Sequence, residues 1–206
     1  MGAATNLLEV SDVEVRRGER LLIRDLSFGL AAGQMALVIG PNGGGKTSLL
    51  RIVAGLAPCT AGNITFDGTA IHRMSPEQRA DIAYRGHLDG LKKDLTVLEN
   101  LRFYSALHGC KPNLDGLLTD LGLQGLGERP LRYLSAGQRR RTGLAVLKAT
   151  RAKLWILDEP MTNLDAQGRS LVARWLGEHL GAGGLALVAT HQPDELASNG
   201  SLLVEI

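Results

Sequence analysis

A glycine-rich segment near residue 40 carries the first pattern with an evident chemistry. The segment consists of Gly40, Pro41, Asn42, Gly43, Gly44, Gly45, Lys46, Thr47 and Ser48. Glycines leave backbone N–H groups free to turn inward around phosphate oxygens, which side chains would obstruct. Lys46 is then placed to contact β- and γ-phosphates, and the Thr47 hydroxyl to ligate Mg²⁺. This pattern favours a nucleoside triphosphate site over a merely flexible glycine loop.

The residues around this segment support that interpretation. Met35–Ile39 is a short continuous apolar run, as expected of a strand that is buried on both faces. Residues 47–56 continue with apolar side chains at helical spacing. Strand, glycine loop and helix, in this order, form the context in which such a loop binds phosphate. The helix adds the positive end of its dipole to the site.

Two adjacent acids follow a second apolar run, at residues 154–157. Asp158 is expected at the carboxyl edge of a sheet, where ligands gather in open α/β folds. From there its carboxylate can hold Mg²⁺ through water, and Glu159 can polarise an attacking water. Adjacent acids are more often a solvated turn, but a pair that closes a buried strand is costly without a cation.

A second anion site is predicted at residues 134–138, ahead of a helix. Its candidate binding residues are Ser135, Gly137 and Gln138. A serine hydroxyl, small residues and a helix N-terminus favour a phosphate by the same physics as the glycine loop. If Lys46 and Thr47 already surround the γ-phosphate of the chain's own nucleotide, this second site has to bind a different one.

The glycine loop, the 134–138 segment and the strand-end acids together resemble the ATP-binding cassettes, a branch of the phosphate-loop ATPases. In that family the 134–138 segment is the signature that covers a partner subunit's nucleotide. The resemblance therefore implies ATP and Mg²⁺ as ligands, and a head-to-tail homodimer with two composite sites. It implies that Asp165 bridges the two sites, and that His191 is the switch histidine that contacts the γ-phosphate. Ala136 stands where the family more often has glycine.

Two departures from the cassette pattern indicate one subfamily of the ATP-binding cassettes. His87, in the segment Tyr84-Arg85-Gly86-His87, replaces a glutamine that usually serves the metal and the membrane-subunit contact. Arg17 lies where a stacking aromatic is usual, so its guanidinium plane either covers adenine or is solvated. With residues 95–104, 154–160 and 190–193, these features resemble the ATP-binding subunit of the haem exporter used in bacterial cytochrome c maturation.

Composition excludes several other classes of protein. The chain has 206 residues, 44% hydrophobic and 21% charged, with a formal net charge of +2, which is too mild to indicate nucleic acid. The one notable basic cluster, Arg139 to Arg141, is interpreted as a solvated helix face in preference to a polyanion site. The apolar runs are too short to span a bilayer. Two cysteines without a Cys-x-x-Cys motif favour a reduced cytosolic compartment.

The order of the patterns predicts an α/β fold, a P-loop NTPase of the cassette type. We expect a mostly parallel core sheet, an N-terminal antiparallel β subdomain and an inserted helical subdomain. One domain is expected to span residues 1–206, with a core lobe at about 1–80 and 153–206 and the helical insertion at about 81–152. Residues 186–189 are expected to form the last strand.

The resemblance implies an ATP-hydrolysing subunit at the cytoplasmic face of the bacterial inner membrane. Its expected partners are a second copy and integral membrane subunits that handle haem, and it contacts the membrane only through them. Whether ATP moves haem itself or releases a loaded haem chaperone stays open. A cassette for another small substrate is one alternative. A soluble cassette acting on DNA or ribosomes is a weaker one, because the chain shows neither a long coiled coil nor a second cassette.

Overall fold

The computed structural model describes residues 7–86, 90–197 and 200–206. The strands are Leu8–Arg17 (β1), Arg20–Leu30 (β2), Met35–Ile39 (β3), Ala61–Phe66 (β4), Thr69–Ala70 (β5), Ile82–Arg85 (β6), Leu154–Asp158 (β7), Leu185–Ala189 (β8) and Leu202–Glu205 (β9). The α-helices are Lys46–Val53 (α1), Pro76–Arg79 (α2), Val97–Leu107 (α3), Leu114–Asp120 (α4), Ala136–Lys148 (α5) and Ala166–Gly181 (α6). Short 3₁₀ turns occupy Ile71–Arg73, Leu131–Tyr133 and Pro193–Glu195. Within the part of the chain described, no helix is long and apolar enough to cross a membrane.

A five-stranded parallel sheet forms the centre of the molecule, in the order β6-β7-β8-β3-β9. Both β7 and β8 are buried along their whole length. Alternate residues of β7 enter two different clusters: Leu154 and Ile156 pack on the side of α1, and Trp155 and Leu157 on the side of α5 and α6. Continuous apolar runs are typical of strands covered on both faces, so the predicted core strands are confirmed.

A four-stranded antiparallel sheet, in the order β2-β1-β4-β5, lies beside this core. The turn between β1 and β2 includes Gly18 at φ +61°, a left-handed conformation that glycine adopts without steric cost. Asp67 and Gly68 both have positive φ and join β4 to β5, which matches the Asp-Gly hairpin pattern in the sequence. The N-terminal antiparallel β subdomain predicted from the sequence is confirmed.

The helical segment follows β6 and contains α3, α4 and α5. Thr96 caps α3 with a capping box, in which Glu99 N–H donates to Thr96 Oγ1 and Glu99 Oε2 accepts from Thr96 N–H. Asn113 caps α4 by accepting from Gly116 N–H. The inserted helical segment predicted from the sequence is thus present, with α3, α4 and α5.

Two edge strands of the parallel sheet were not predicted. Ile82–Arg85 pairs with β7, so the core sheet extends beyond residue 81 and the expected start of the insertion there is wrong. Leu202–Glu205 pairs with β3, so residues 186–189 do not form the last strand. Each is four residues long and has one buried residue, at Ala83 and Val204. Such short edge strands carry little hydrophobic pattern.

Asn100 organises the loop that leads into α3. Its side chain is fully buried, and Oδ1 accepts from the N–H of Lys92 at 2.9 Å. Its amide nitrogen donates to the carbonyls of Lys92 at 3.0 Å and Thr96 at 2.9 Å. A buried amide with these partners stabilises one loop conformation, because the Asn100 side chain has no access to water and depends on these hydrogen bonds.

We expect Asn100→Ala to lower the free energy of unfolding by about 2–3 kcal/mol, since it removes the hydrogen bonds that a fully buried side chain makes to the Lys92 N–H and to two carbonyls. Chemical denaturation of both proteins measures this difference. Asn63→Ala, at an exposed position of β4, is the matched control and should stay within about 0.5 kcal/mol of the parent. Equal stability of the two variants would contradict this account of the loop.

Candidate functional site

The register of the parallel sheet brings three chain segments to one edge. Val38 of β3 and Asp158 of β7 both lie opposite Ala189 of β8. The glycine loop therefore leaves β3 at the level where Glu159 follows β7 and His191 follows β8. Carboxyl ends of parallel strands are where open α/β sheets bind ligands, because loops there can diverge around a crevice.

The glycine loop depends on close backbone approaches. A Cβ at Gly40, where φ is +153°, would lie 2.3 Å from the carbonyl oxygen of Ile206, just past β9. Gly45 precedes the first residue of α1 with φ +115°, and a Cβ there would lie 3.1 Å from Ile23 Cδ1. Only glycine fits both positions without displacing a neighbour. The loop is thus held between the end of β9 and the antiparallel sheet.

The side chain of Lys46 lies inside the glycine loop. Its side chain is only 7% exposed, and Nζ donates to the carbonyls of Gly40 at 2.7 Å and Pro41 at 3.1 Å. The Pro41 carbonyl also accepts from Gly44 N–H at 3.1 Å. The ammonium group is therefore held within the loop, at the N-terminal end of α1. A phosphate placed there would meet a lysine charge and a helix dipole together.

Thr47 and Asp158 connect the glycine loop to the second acidic motif. Thr47 Oγ1 donates to Asp158 Oδ2 at 2.8 Å, across the face of the sheet between α1 and β7. Asp158 is 3% exposed. A hydroxyl and a carboxylate are hard oxygen ligands of the kind that Mg²⁺ prefers, and this pair lies beside the phosphate loop. The residues present fit the predicted metal site.

Glu159 has both a strained backbone and an available carboxylate oxygen. Its φ is +51°, which costs a non-glycine residue roughly 1–2 kcal/mol. Its N–H donates to the Ala189 carbonyl at 2.9 Å, so the sheet bonding holds this conformation. Oε1 is buried and receives no hydrogen bond of good geometry from a described residue, although His191 Nε2 lies 3.2 Å away. Such an oxygen is ready to accept a proton or hydrogen bond from water.

These groups share one cleft with a volume of about 620 Å³. The residues that line it are Arg17, Leu22, Pro41, Asn42, Gly43, Gly45, Lys46, Thr47, Ser48, Arg51, Asp158, Glu159 and His191. Arg17 thus lines the same cleft as the phosphate loop. Sequence reasoning missed Leu22 and Arg51. Arg51 lies four residues after Thr47 on α1, the spacing that places both on one helix face, and this was the signal available.

The 134–138 segment is not part of the described lining of the phosphate cleft. Ser135 is exposed and caps α5, accepting from Gln138 N–H at 3.2 Å, while Gln138 Oε1 accepts from Ser135 N–H at 2.9 Å. Together with Gly137, these residues are absent from the described lining of the cleft. Asp165 caps α6 by accepting from Gly168 N–H at 2.8 Å. The structure therefore gives Ser135 and Asp165 capping roles and brings neither to the phosphate cleft.

The segment in which His87 was singled out is only partly described. His87 itself lies outside the described residues. Tyr84, in β6, is half-buried, and that burial, reinforced by the charge of Asp158, raises the pKa of its phenol. Arg51 opposes this effect in part. The phenol consequently stays protonated at neutral pH, next to the predicted metal ligand.

The Arg139 to Arg141 cluster is not the solvated face that the sequence suggested. Arg140 is 7% exposed, and its guanidinium donates to the carbonyls of Gly86, Asp158 and Glu159. Arg139 donates to the Leu134 carbonyl and Arg141 to the Leu121 carbonyl. Residues 140, 144 and 147 follow the helical spacing of one buried face, and this periodicity could have identified Arg140 as a core residue.

Comparisons with known proteins find relatives of this chain both in sequence and in structure. The sequence profile of the family described as ABC transporter matches residues 23–162. The chain is 41% identical to a cytochrome c biogenesis ATP-binding export protein from Cupriavidus metallidurans, covering 97% of this chain and 95% of that one. It is 46% identical to the corresponding protein of Nitrosomonas europaea, covering 90% and 89%. A solved ATP-binding subunit of an ABC transporter superposes with a TM-score of 0.83, at 25% identity and covering 90% of this chain and 79% of that one.

The family profile spans both the phosphate loop and the strand-end acids, and the two relatives match nearly the whole chain. The residues matched by the family profile include strands of both sheets and the phosphate loop that lines the cleft. The chain belongs to the ABC transporter family, as an ATP-binding, ATP-hydrolysing subunit of the cytochrome c biogenesis ATP-binding export type.

Proposed function

We propose that this cassette drives an inner-membrane complex that handles haem for the assembly of c-type cytochromes, and that it hydrolyses ATP in the cleft described above. The buried Glu159 Oε1, 3.2 Å from His191 Nε2 and beside the phosphate loop, carries the proposal for hydrolysis. The relatives named for cytochrome c biogenesis support the cellular role. The sequence features that resemble the haem exporter subunit support haem handling.

Binding of the nucleotide is assigned to the loop and to the first helix. Backbone N–H groups of residues 42–48 surround the phosphates, and Lys46 exchanges its loop carbonyls for β- and γ-phosphate oxygens. Arg17 lines the opposite side of the same cleft, where its guanidinium plane can stack on adenine. Thr47 and Asp158 would hold Mg²⁺, which when bound neutralises charge on the phosphate oxygens.

Hydrolysis is assigned to Glu159 and His191. Glu159 accepts a proton from water as the water oxygen attacks the γ-phosphorus. The bond from that phosphorus to the bridging oxygen breaks, and ADP leaves with the electron pair. His191 Nε2 lies 3.2 Å from Glu159 Oε1, beyond the end of β8, and would contact the γ-phosphate. Glu159 and His191 both line the cleft that contains the phosphate loop, which supports this placement.

Completion of the site is assigned to a second copy of the chain. ABC transporter ATPases work as dimers with membrane subunits, and we propose a homodimer here. Ser135, Gly137 and Gln138 present a capped helix N-terminus on an exposed surface, separate from the chain's own cleft, which suits a partner's γ-phosphate. Asp165, at the start of α6, would bridge the two sites. His87 would connect the metal site to the membrane subunits, at the cytoplasmic face of the membrane.

We expect Glu159→Gln to retain ATP affinity and lose at least about 100-fold in kcat, because glutamine cannot accept the water proton. Nucleotide titration and phosphate release measure the two quantities. Size-exclusion chromatography with ATP should show the variant as a trapped dimer. Turnover near the parent rate would remove Glu159 from the proposed mechanism.

We expect Ser135→Arg to block turnover in the assembled complex while nucleotide affinity stays unchanged, because a guanidinium occupies the space that faces the partner's phosphate. Ser75→Arg is the matched control, since Ser75 caps α2 with the same capping box, formed with Gln78. Mixing Ser135→Arg with Lys46→Ala subunits rebuilds one intact composite site per heterodimer. Full activity of Ser135→Arg alone would refute the composite site.

We expect this chain to restore haem-stained c-type cytochromes in a bacterium deleted for its own cytochrome c biogenesis ATP-binding subunit. Lys46→Ala should fail to restore them, because the variant lacks the phosphate counter-charge. Lys153→Ala, at an ion-paired surface lysine outside the cleft, should perform like the parent. Restoration by Lys46→Ala would show that ATP binding is not required for this role.

A further inference from the structure

The guanidinium of Arg140 connects three elements of the fold. Nη1 donates to the carbonyl of Gly86, one residue past β6, at 3.0 Å. Nη2 donates to the carbonyls of Asp158 at 3.1 Å and Glu159 at 2.9 Å, at the end of β7. Arg140 itself is the fifth residue of α5, the helix that begins with the signature segment. One buried side chain thus ties the signature helix to the carboxyl ends of two core strands.

The bonded carbonyls belong to the residues that set the position of the proposed catalytic carboxylate. Glu159 adopts a left-handed backbone conformation, and its carbonyl also accepts from Thr162 N–H at 3.2 Å. A residue held in such a conformation depends on its surroundings to keep it there. Arg140 supplies two hydrogen bonds on the carbonyl side of this turn, while Ala189 accepts from the Glu159 N–H on the other side.

The geometry of arginine suits this position. Its planar group carries several donors in a rigid fork, so one side chain can serve carbonyls of different strands at once. A lysine at the same place carries its donors on one nitrogen and cannot reproduce this planar arrangement. Arg141, the next residue of the same helix, makes one described bond, to the Leu121 carbonyl at 2.8 Å, and does not touch β7.

We infer that Arg140 is a positioning residue for hydrolysis: it fixes the backbone of Glu159 relative to helix α5, so that the signature helix and the catalytic carboxylate move as one unit. The inference rests on the role proposed for Glu159. This positioning role differs from nucleotide binding by the phosphate loop and from the capping of α5 by Ser135 and Gln138. Displacement of α5 by a partner subunit would be transmitted through the guanidinium to Glu159, without contact between the signature and the chain's own nucleotide.

The test compares Arg140→Lys with Arg141→Lys in the full chain, assembled with its membrane subunits. We expect Arg140→Lys to lower kcat about ten-fold or more, since a small misplacement of a catalytic group has effects of this size. The Kd for a non-hydrolysable ATP analogue should stay within about two-fold of the parent. Amide hydrogen exchange should become faster for residues 159–162 in this variant. Arg141→Lys should match the parent in all three measurements.

Three outcomes would overturn the inference. The first is parent-like kcat in Arg140→Lys. The second is a parallel fall of kcat, nucleotide affinity and melting temperature, which indicates a general loss of folded protein. The third is unchanged exchange at residues 159–162. Arg140→Gln gives the same readouts if the lysine variant does not fold. If Glu159→Gln keeps full turnover, the proposed role of Glu159 fails, and the exchange measurement still decides whether Arg140 holds this turn.

Discussion

The site depends on one constraint, the common register of three parallel strands. Because Val38 and Asp158 both lie opposite Ala189, the segments that follow β3, β7 and β8 start from the same level of the sheet. Backbone hydrogen bonds along these strands fix that level to within a fraction of a residue spacing. A one-residue slip of β7 would turn the side chain of Asp158 to the other face and away from Thr47. The contacts of Thr47 with Asp158 and of His191 with Glu159 follow from this alignment.

The balance of charge explains why buried acidic residues are tolerated at the end of a hydrophobic strand. Asp158 is buried, but Thr47 donates to it and Arg140 donates to its carbonyl. A buried carboxylate costs several kcal/mol unless hydrogen bonds or a cation compensate for the lost hydration. The strand therefore ends in a site that would gain stability if the proposed divalent cation and a phosphate completed it. Such a gain would link folding to nucleotide binding.

Helix capping alone does not identify the anion site proposed at residues 134–138. Ser75, Thr96 and Ser135 all cap helices with the same reciprocal pattern, so the capping box by itself does not distinguish a binding segment. The α5 N-terminus differs because its helix is tied, through Arg140, to the end of β7. Local sequence therefore forms the helix cap at the proposed anion site, and packing connects that helix to the end of β7.

The sequence by itself determined the parts of the structure in which neighbouring residues act together. The glycine loop, the capping boxes, the Asp-Gly turn and the buried runs of β3, β7 and β8 all follow from short-range sterics, hydrogen bonding and hydrophobic pattern. Tertiary structure alone decided the edge strands β6 and β9, whose single buried residues leave almost no pattern. It also decided the burial of Arg140 and the contact of Glu159 with His191. These depend on residues far apart in the chain, and their positions are set only when the sheet and the helices pack together.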